Sequence, residues 1–282
     1  MSNEDEGKGR VVLISGASAG FGQASAEHLA RLGHRVYGTS RRAELPAAAA
    51  PVERLPYPRM IPMDVGDDAS VQRAVEHVVK CEGGIDVVVN NAGVGLAGAI
   101  EETSVDEAKA LFETNVFGVH RVCRAVLPGF RARGEGLVVN VSSLGGLVTI
   151  PFQGFYSASK YALESMTDAL RMELAPFGIR VVLIEPGDFR TGFTDHRSFA
   201  AEAGPASAYH ERCRRAVAVM ERDERNGSDP SLFAECLAGI IADESPRPRY
   251  PVGALGQRLA VAARGFVPTT LLDRALRALY KV

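Results

Sequence analysis

Tyr156 and Lys160 stand four residues apart, so on a helix both project from one face. An unperturbed phenol titrates near pH ~10, too high for efficient proton exchange near neutrality, and a neighbouring ammonium stabilises the phenolate and lowers that value. The pair is a workable general acid and base, although Tyr/Lys pairs at this spacing also occur on many solvated helix faces. Ser143, thirteen residues earlier and just past an apolar run of strand length, adds weight to the chemical reading. A hydroxyl, a phenol and an ammonium would then converge at one edge of a sheet.

A second group of residues could hold a nucleotide. The segment Ser15-Gly-Ala-Ser-Ala-Gly-Phe-Gly22 links an apolar run to a helical pattern. Its glycines allow close approach of a ligand, and the following helix N-terminus offers free N–H groups to a pyrophosphate. Gly16, Ser18, Gly20, Phe21 and Gly22 are the expected contacts; the spacing G-x-x-x-G-x-G differs from the commoner G-x-G-x-x-G fingerprint. The residue that reads the adenosine ribose should follow about 20 positions on. That count reaches Ser40, with Arg41 and Arg42 behind it. A small hydroxyl beside guanidinium groups suits a 2′-phosphate, so NADP(H) is the expected cofactor.

Elements that could position these groups alternate along residues 10–185. Strands are expected at Val11–Ser15, Arg35–Thr39, Met60–Met63, Ile85–Asn90, Leu137–Val141 and Ile179–Ile184. Helices are expected near Phe21–Leu32, Ala69–Cys81, Val105–Arg131 and Tyr156–Pro176, with Gly33 and Gly178 as stops. This βαβ order predicts an α/β fold, a Rossmann-type doubly wound parallel sheet with helices on both faces. Residues 10–282 would form one domain behind a disordered tail at 1–9. After the sixth strand, 188–230 carries no strand signal and is expected to be a mobile lid, before helical character returns at Ser231–Ala242. Arg249–Gly253 is a candidate last strand, and 254–282 reads as a helical extension broken at Pro268.

Composition narrows the function classes. The 32 basic and 34 acidic residues are spread along the chain, so nucleic acid is an unexpected partner. The N-terminus is polar and acidic, and the longest uncharged run, Gly136 to Ser159, is broken by Pro151, Asn140 and glycines; no integral membrane segment is expected. Cys81, Cys123, Cys213 and Cys236 lie far apart without a neighbouring histidine at ligand spacing, and the six histidines form no metal motif. Reduced thiols, no metal and a cytoplasmic location are the expectation. No Gly-x-Ser-x-Gly elbow surrounds Ser142 or Ser143.

Together, Gly16/Gly20/Gly22, Asn90-Asn-Ala-Gly93, Ser143 with Tyr156-x-x-x-Lys160, and Pro186-Gly187 resemble the short-chain dehydrogenase/reductase family in order and spacing, closely over residues 10 to about 195. Ser15 stands where that family usually has threonine, with the hydroxyl kept. The resemblance implies that Tyr156 donates the proton to a carbonyl, Ser143 orients that carbonyl, and Lys160 holds the nicotinamide ribose. It implies a fourth active-site member in Asn115, supporting a proton-relay water. Ser142 competes with Ser143 for its role, but the thirteen-residue spacing favours Ser143. The resemblance further implies that Asp64-Val65 bind adenine, that Asn90, Asn91, Ala92 and Gly93 line the cofactor cleft, and that Glu185 to Thr191, with Pro186, Gly187 and Thr191, wrap the nicotinamide and diphosphate.

The expected activity is NADP(H)-dependent hydride transfer to or from a hydrophobic ketone, aldehyde or secondary alcohol. A ketoacyl-type reductase, a lyase or epimerase of the same fold, and a non-catalytic redox sensor are the alternatives; sensors of this kind often lack the Tyr-x-x-x-Lys pair present here. Leu144, Phe152, Phe189 and Phe193 would line an apolar substrate cleft with Ser143 and Tyr156, and these aromatics could equally pack the lid onto the sheet. The stretches around Val141–Phe152 and Ala158–Leu163 look most like the hydroxysteroid and retinol dehydrogenase branch. Leu111, Val119, Val122 and Val126, with Leu163, Met166, Leu170 and Leu174, are the stripes that, by resemblance, would pair in a homodimer or homotetramer. The amphipathic stretch Leu271, Leu272, Ala275, Leu276 and Leu279 could join an interface, cover the substrate cleft or lie on a membrane surface; packing on protein is the expectation, because Asp273 accompanies Arg274 and Arg277 and no basic cluster accompanies the stripe.

Overall fold

A computed structural model of the chain describes residues 9–43 and 56–282. The expected tail lies outside the described residues except for Gly9. Seven strands form one sheet: β1 (Val11–Ile14), β2 (Arg35–Ser40), β3 (Arg59–Pro62), β4 (Val87–Asn90), β6 (Gly136–Val141), β7 (Ile179–Pro186) and β9 (Arg249–Val252). Their order is β3-β2-β1-β4-β6-β7-β9 and every pairing is parallel. Both faces of the sheet are covered, which is why β1 and β4 are continuous apolar runs without alternation. On one face α2 (Asp68–Glu82), α4 (Gly118–Arg133) and α5 (Gly154–Leu174) enclose a core with Val78, Val122, Phe130 and Leu163. On the other, α1 (Gly20–Arg31) and α7 (Pro230–Ala242) pack over Ile14, Val89 and Ile184.

Three expectations need correction. The single helix over 105–131 is two helices, α3 (Val105–Phe112) and α4, joined by a π-helical turn over Glu113–Phe117. The region 188–230 is not devoid of regular structure. It adds β8 (Ser198–Phe199), paired with β5 (Leu96–Ala97), and a 16-residue helix, α6 (His210–Arg225). The Arg- and Glu-rich composition of α6 hides a buried stripe of Cys213, Ala216, Val217 and Met220 at helical spacing. Lastly, Leu111, Val119, Val122, Val126, Leu163 and Leu174 are buried within their own protomer, and Met166 and Leu170 are partly so. Leu111 faces the cleft beside Tyr156, and the other stripes pack on the chain's own sheet, so they are not the outer faces expected of them.

Phe21 at the start of α1 stacks on Phe233 of α7, centroids 4.3 Å apart, and meets Phe189 edge-on at 4.9 Å. The trio fixes the first turn of α1 against the strand edge that carries the glycine turn. Phe189 is therefore core, and its expected place in the substrate cleft is corrected. Truncating a buried ring removes its transfer free energy and leaves a cavity. Phe233→Ala should destabilise the protein by roughly 3–5 kcal/mol, read from urea denaturation; a change below about 1 kcal/mol would mean the trio is not packed as described.

Candidate active site

Because the strands run parallel, the loop after each one emerges at the same sheet edge, and the expected site residues gather there. After β1, Gly16 and Gly20 adopt left-handed φ values of 67° and 55°. A Cβ on Gly16 would lie 2.8 Å from the Ala92 Cα, and one on Gly22 would lie 2.4 Å from the Gly16 carbonyl oxygen. Ser15 ties this turn to the loop after β4: its Oγ accepts hydrogen bonds from the N–H groups of Asn91 and Ala92, both at 3.0 Å. Asn91 returns the link, donating from Nδ2 to the carbonyls of Ser15 and Gly16 at 2.9 and 3.0 Å. Asn90 instead points into the core, donating to Asn140 at 2.8 Å, so its expected position in the cleft is corrected.

This turn fits a dinucleotide. No side chain caps the N-terminus of α1 and its first turn holds no acid, whereas α2 is capped by Asp67 and α3 by Ser104. Uncapped N–H groups at a glycine turn are what an anionic diphosphate requires. Thr191 approaches Gly20, and the strap around it borders an open cavity of about 520 Å³ that also meets Gln23 and Thr194. Phe21 can offer only its backbone, since its ring is packed in the core. Ser40 ends β2 with its Oγ accepting from the Arg42 N–H at 3.2 Å, and Arg41 and Arg42 are exposed beside it. After β3, Asp64 accepts from the Gly66 N–H at 2.9 Å while Val65 is buried beneath Gly118. Ser18 is exposed in the turn, Gly93 lies between Asn115 and Lys160, and Pro186-Gly187 close β7 against Leu144.

Ser143, Tyr156, Lys160 and Asn115 are brought together. Ser143 follows β6 and accepts from the Gly145 N–H at 2.9 Å; its hydroxyl and the Tyr156 ring both border Gly145. Lys160, one turn along α5, donates from Nζ to the Val141 carbonyl at 2.9 Å. Burial pulls its pKa down to about 8, against the nearby Glu164. Burial also raises the Tyr156 pKa, opposed by Ser143 and the Arg197 charge and reinforced by Glu224. Lys160 is not among the groups that shift the phenol, so the expected lowering of its pKa by that ammonium is corrected. Asn115 sits in the π-turn, its amide accepting from the Val94 N–H at 2.9 Å and donating to the Val94 carbonyl at 3.0 Å and to Ser159 at 3.1 Å. Widened turns of this kind break a helix where a side chain must be aimed. Ser142 faces Gly146 and the Glu164 carboxylate instead of Tyr156.

Above the phenol the walls are apolar. Phe193 lies 5.7 Å from the Tyr156 ring, with Leu96, Leu111 and Phe155 around it. Leu144 is buried beside Gly187, and Phe152, held at a φ of 59°, packs with Ala97, Val217 and Phe199 farther out. Two charged groupings went unnoticed in the sequence. Arg197, buried just before β8, pairs with Glu224 of α6, which also accepts from the Thr194 hydroxyl at 2.6 Å; the Arg197 guanidinium lies over Phe193. Behind Lys160, Arg249 bridges Glu164, Glu185 and Asp168, and burial holds Glu185 up at about 7. Neither has a local sequence signal, because each joins residues more than 20 positions apart. His77 and Cys81 do approach, at 3.8 Å on one helix face, contrary to the expectation of no such neighbour, but among the described residues no group of three metal-binding side chains exists.

Among the described residues no helix is long and apolar enough to cross a membrane. The family model for short chain dehydrogenase matches residues 10–201. A 3-ketodihydrosphingosine reductase of Bacteroides thetaiotaomicron is 41% identical over 273 residues, covering 97% of this chain and 98% of that protein. A short-chain dehydrogenase of Streptomyces avermitilis superposes with a TM-score of 0.77 at 35% identity, over 96% of this chain and 97% of that one. One from Burkholderia phymatum, in complex with NAD, gives 0.76 at 27% identity, with 95% of each chain covered. With the match to the family model spanning most of the chain and the relative aligned nearly end to end, the protein belongs to the short-chain dehydrogenase/reductase family of oxidoreductases.

Proposed function

We propose that the chain is an NADP(H)-dependent reductase of a ketone carried on a long apolar skeleton. The observation that carries this reading is the Ser143–Tyr156 pair meeting beside Gly145, one helical turn from a buried Lys160, at the floor of an apolar cleft beside the glycine turn. When bound, the nicotinamide supplies or accepts the hydride. The chain's residues do the rest. Ser143 donates a hydrogen bond to the substrate oxygen and holds it against the Tyr156 hydroxyl, which passes its proton to the alkoxide as charge develops there. Lys160 holds a positive charge next to the phenolate left behind. Phe193 and Leu111 exclude water while that proton moves.

The apolar walls and the name of the Bacteroides relative both favour a long-chain ketone over a sugar or small acid. Similar structures hold NAD in one case and NADP in another, so the nucleotide is argued from this chain's own residues. Two exposed guanidinium groups beside Ser40 would pair with a 2′-phosphate, and among the described residues no acid ends that strand to accept the ribose hydroxyls. Residues 188–230 close over the site through Phe193 and the Arg197–Glu224 pair, and we keep this lid role for them. A homodimer or homotetramer, and a cytoplasmic location, rest on the family alone.

Three outcomes test the proposal. Tyr156→Phe removes only the transferable proton, so kcat should fall by about a thousandfold or more while nucleotide affinity stays within roughly threefold. Retention of most of kcat would assign the proton to another group. NADPH should be preferred over NADH by about tenfold or more in kcat/KM, and Ser40→Asp with Arg41→Ala should reverse the order. Equal use of NADH by the unaltered protein would refute the nucleotide assignment.

The third concerns Lys160. Its folded pKa, about 8, lies below its ordinary 10.5, so the folded state binds fewer protons than the unfolded state between those values. Stability therefore rises with pH across that window, and the penalty for burying the ammonium is fully present below pH 8. Lys160→Met removes the penalty. In the nucleotide-free protein, the melting temperature of the variant relative to the parent should be higher at pH 7 than at pH 10. A pH-independent difference would show that the ammonium is not buried.

A further inference from the structure

Residues 254–282 form two helices, α8 (Leu255–Ala263) and α9 (Thr269–Tyr280), neither of which contributes a fully buried residue to the core. On α9, Leu272, Leu276 and Tyr280 recur every fourth residue and turn toward the protein, half-buried. This inner face meets the expectation of packing on protein. The outer face does not. Leu271 and Leu279 are more than half exposed, as are Leu255 and Leu259 on α8, and Phe266 in the turn between the helices is 91% exposed. These five are drawn from the fourteen large apolar side chains that the described residues expose, so over a third fall on one short hairpin. Scattered exposed leucines need no explanation, but such a concentration marks an interaction surface.

Charge indicates the partner. The hairpin carries Arg258, Arg264, Arg274, Arg277 and Lys281 against the single acid Asp273, in a chain whose net charge is −2. Spaced at about 100° per residue, Arg274 and Arg277 run along one flank of the stripe Leu271, Ala275, Ala278 and Leu279, and Lys281 follows as the left-handed cap of the helix. An apolar stripe bordered by arginine and lysine is what an in-plane interfacial helix needs: the leucines enter the acyl boundary and the cations stay among anionic headgroups. A second copy of the same face would instead bring like charges together.

Its location adds a reason. Gln257 of α8 accepts from the Asp188 N–H at 3.2 Å and donates to the Asp188 carboxylate, directly after the Pro186-Gly187 turn. The Arg264 guanidinium lies 5.4 Å over the ring of Tyr161, the neighbour of Lys160. The hairpin therefore stands at the edge where the cleft opens.

We propose that the α8–α9 hairpin docks on the surface of an anionic phospholipid bilayer, with Leu255, Leu259, Phe266, Leu271 and Leu279 inserted, and so holds the cleft where a long-chain ketone would partition. Delivery of substrate rests on the function proposed above; docking does not. Flotation of the full chain with vesicles tests it. Vesicles of phosphatidylcholine with about a third phosphatidylglycerol should bind the protein at least tenfold more strongly than phosphatidylcholine alone, and salt should weaken that binding. Phe266→Glu, and separately Arg274→Glu with Arg277→Glu, should each reduce the bound fraction about fivefold or more. These side chains are exposed, so the melting temperature should stay within about 2 °C of the parent. No flotation with anionic vesicles, equal binding to both compositions, or undiminished binding by the variants would overturn the proposal. A fall in oligomeric mass of Phe266→Glu with vesicle binding intact would assign the face to a second copy and overturn it too. NADPH oxidation with a water-soluble ketone reports on the enzymatic reading separately, whichever way flotation falls.

Discussion

Parallel pairing of all seven strands is the constraint on which the molecule depends. A parallel pair cannot be closed by a short hairpin, so each strand is followed by a crossover, and every such loop leaves from the same edge. The glycine turn after β1, Ser40 and its arginines after β2, Asn91-Ala92-Gly93 after β4, Ser143 after β6 and Pro186-Gly187 after β7 are neighbours for that reason alone. Ser15 and Asn91, 76 residues apart in the sequence, come within hydrogen-bond range. Ser15 shows how tightly the loops are joined: one hydroxyl satisfies two backbone N–H groups of the loop after β4, which would otherwise be left without partners.

The same burial that makes the sheet stable sets the electrostatics of its edge. Lys160 is enclosed by α5 and the end of β6, with a backbone carbonyl as its hydrogen-bond partner, and its ammonium is held at a cost that lowers its pKa. Tyr156 is pushed the other way, toward the protonated phenol that a reductase must present. Charged pairs stand on both sides. Arg249 with Glu164, Glu185 and Asp168 lies beneath Lys160, and Arg197 with Glu224 lies beyond Phe193. Buried ion pairs add little net stability, but they fix geometry, because breaking one leaves an uncompensated charge. The second pair anchors the strap that carries Phe193 onto Tyr156.

Much of this was legible in the sequence because it is local. Six strands, the glycine turn and the Tyr-x-x-x-Lys pair follow from apolar runs and fixed spacings, and their registers match the structure to within about two residues. What failed was tertiary. The π-turn at Asn115 leaves the helical pattern of Val105–Arg131 unbroken, since a single widened turn shifts the apolar stripe only slightly. Helix α6 was concealed by charge, its buried stripe being four small or medium side chains among arginines. Phe189 follows the Pro-Gly turn as a cleft residue would, yet its ring turns back to Phe21 and Phe233, a direction no local pattern encodes. The stripes on α4 and α5 were read as outer surfaces when the sheet's own core claims them.

The central claim is that this edge moves a hydride and a proton to one carbonyl. Incubating the enzyme with NADPH deuterated at both nicotinamide C4 positions, together with a long-chain ketone in ordinary water, and weighing the alcohol by mass spectrometry tests it most directly. The account predicts one deuterium on the carbinol carbon and an ordinary proton on its oxygen. An alcohol without deuterium on carbon, or nucleotide bound with no alcohol formed across a panel of such ketones, would contradict it.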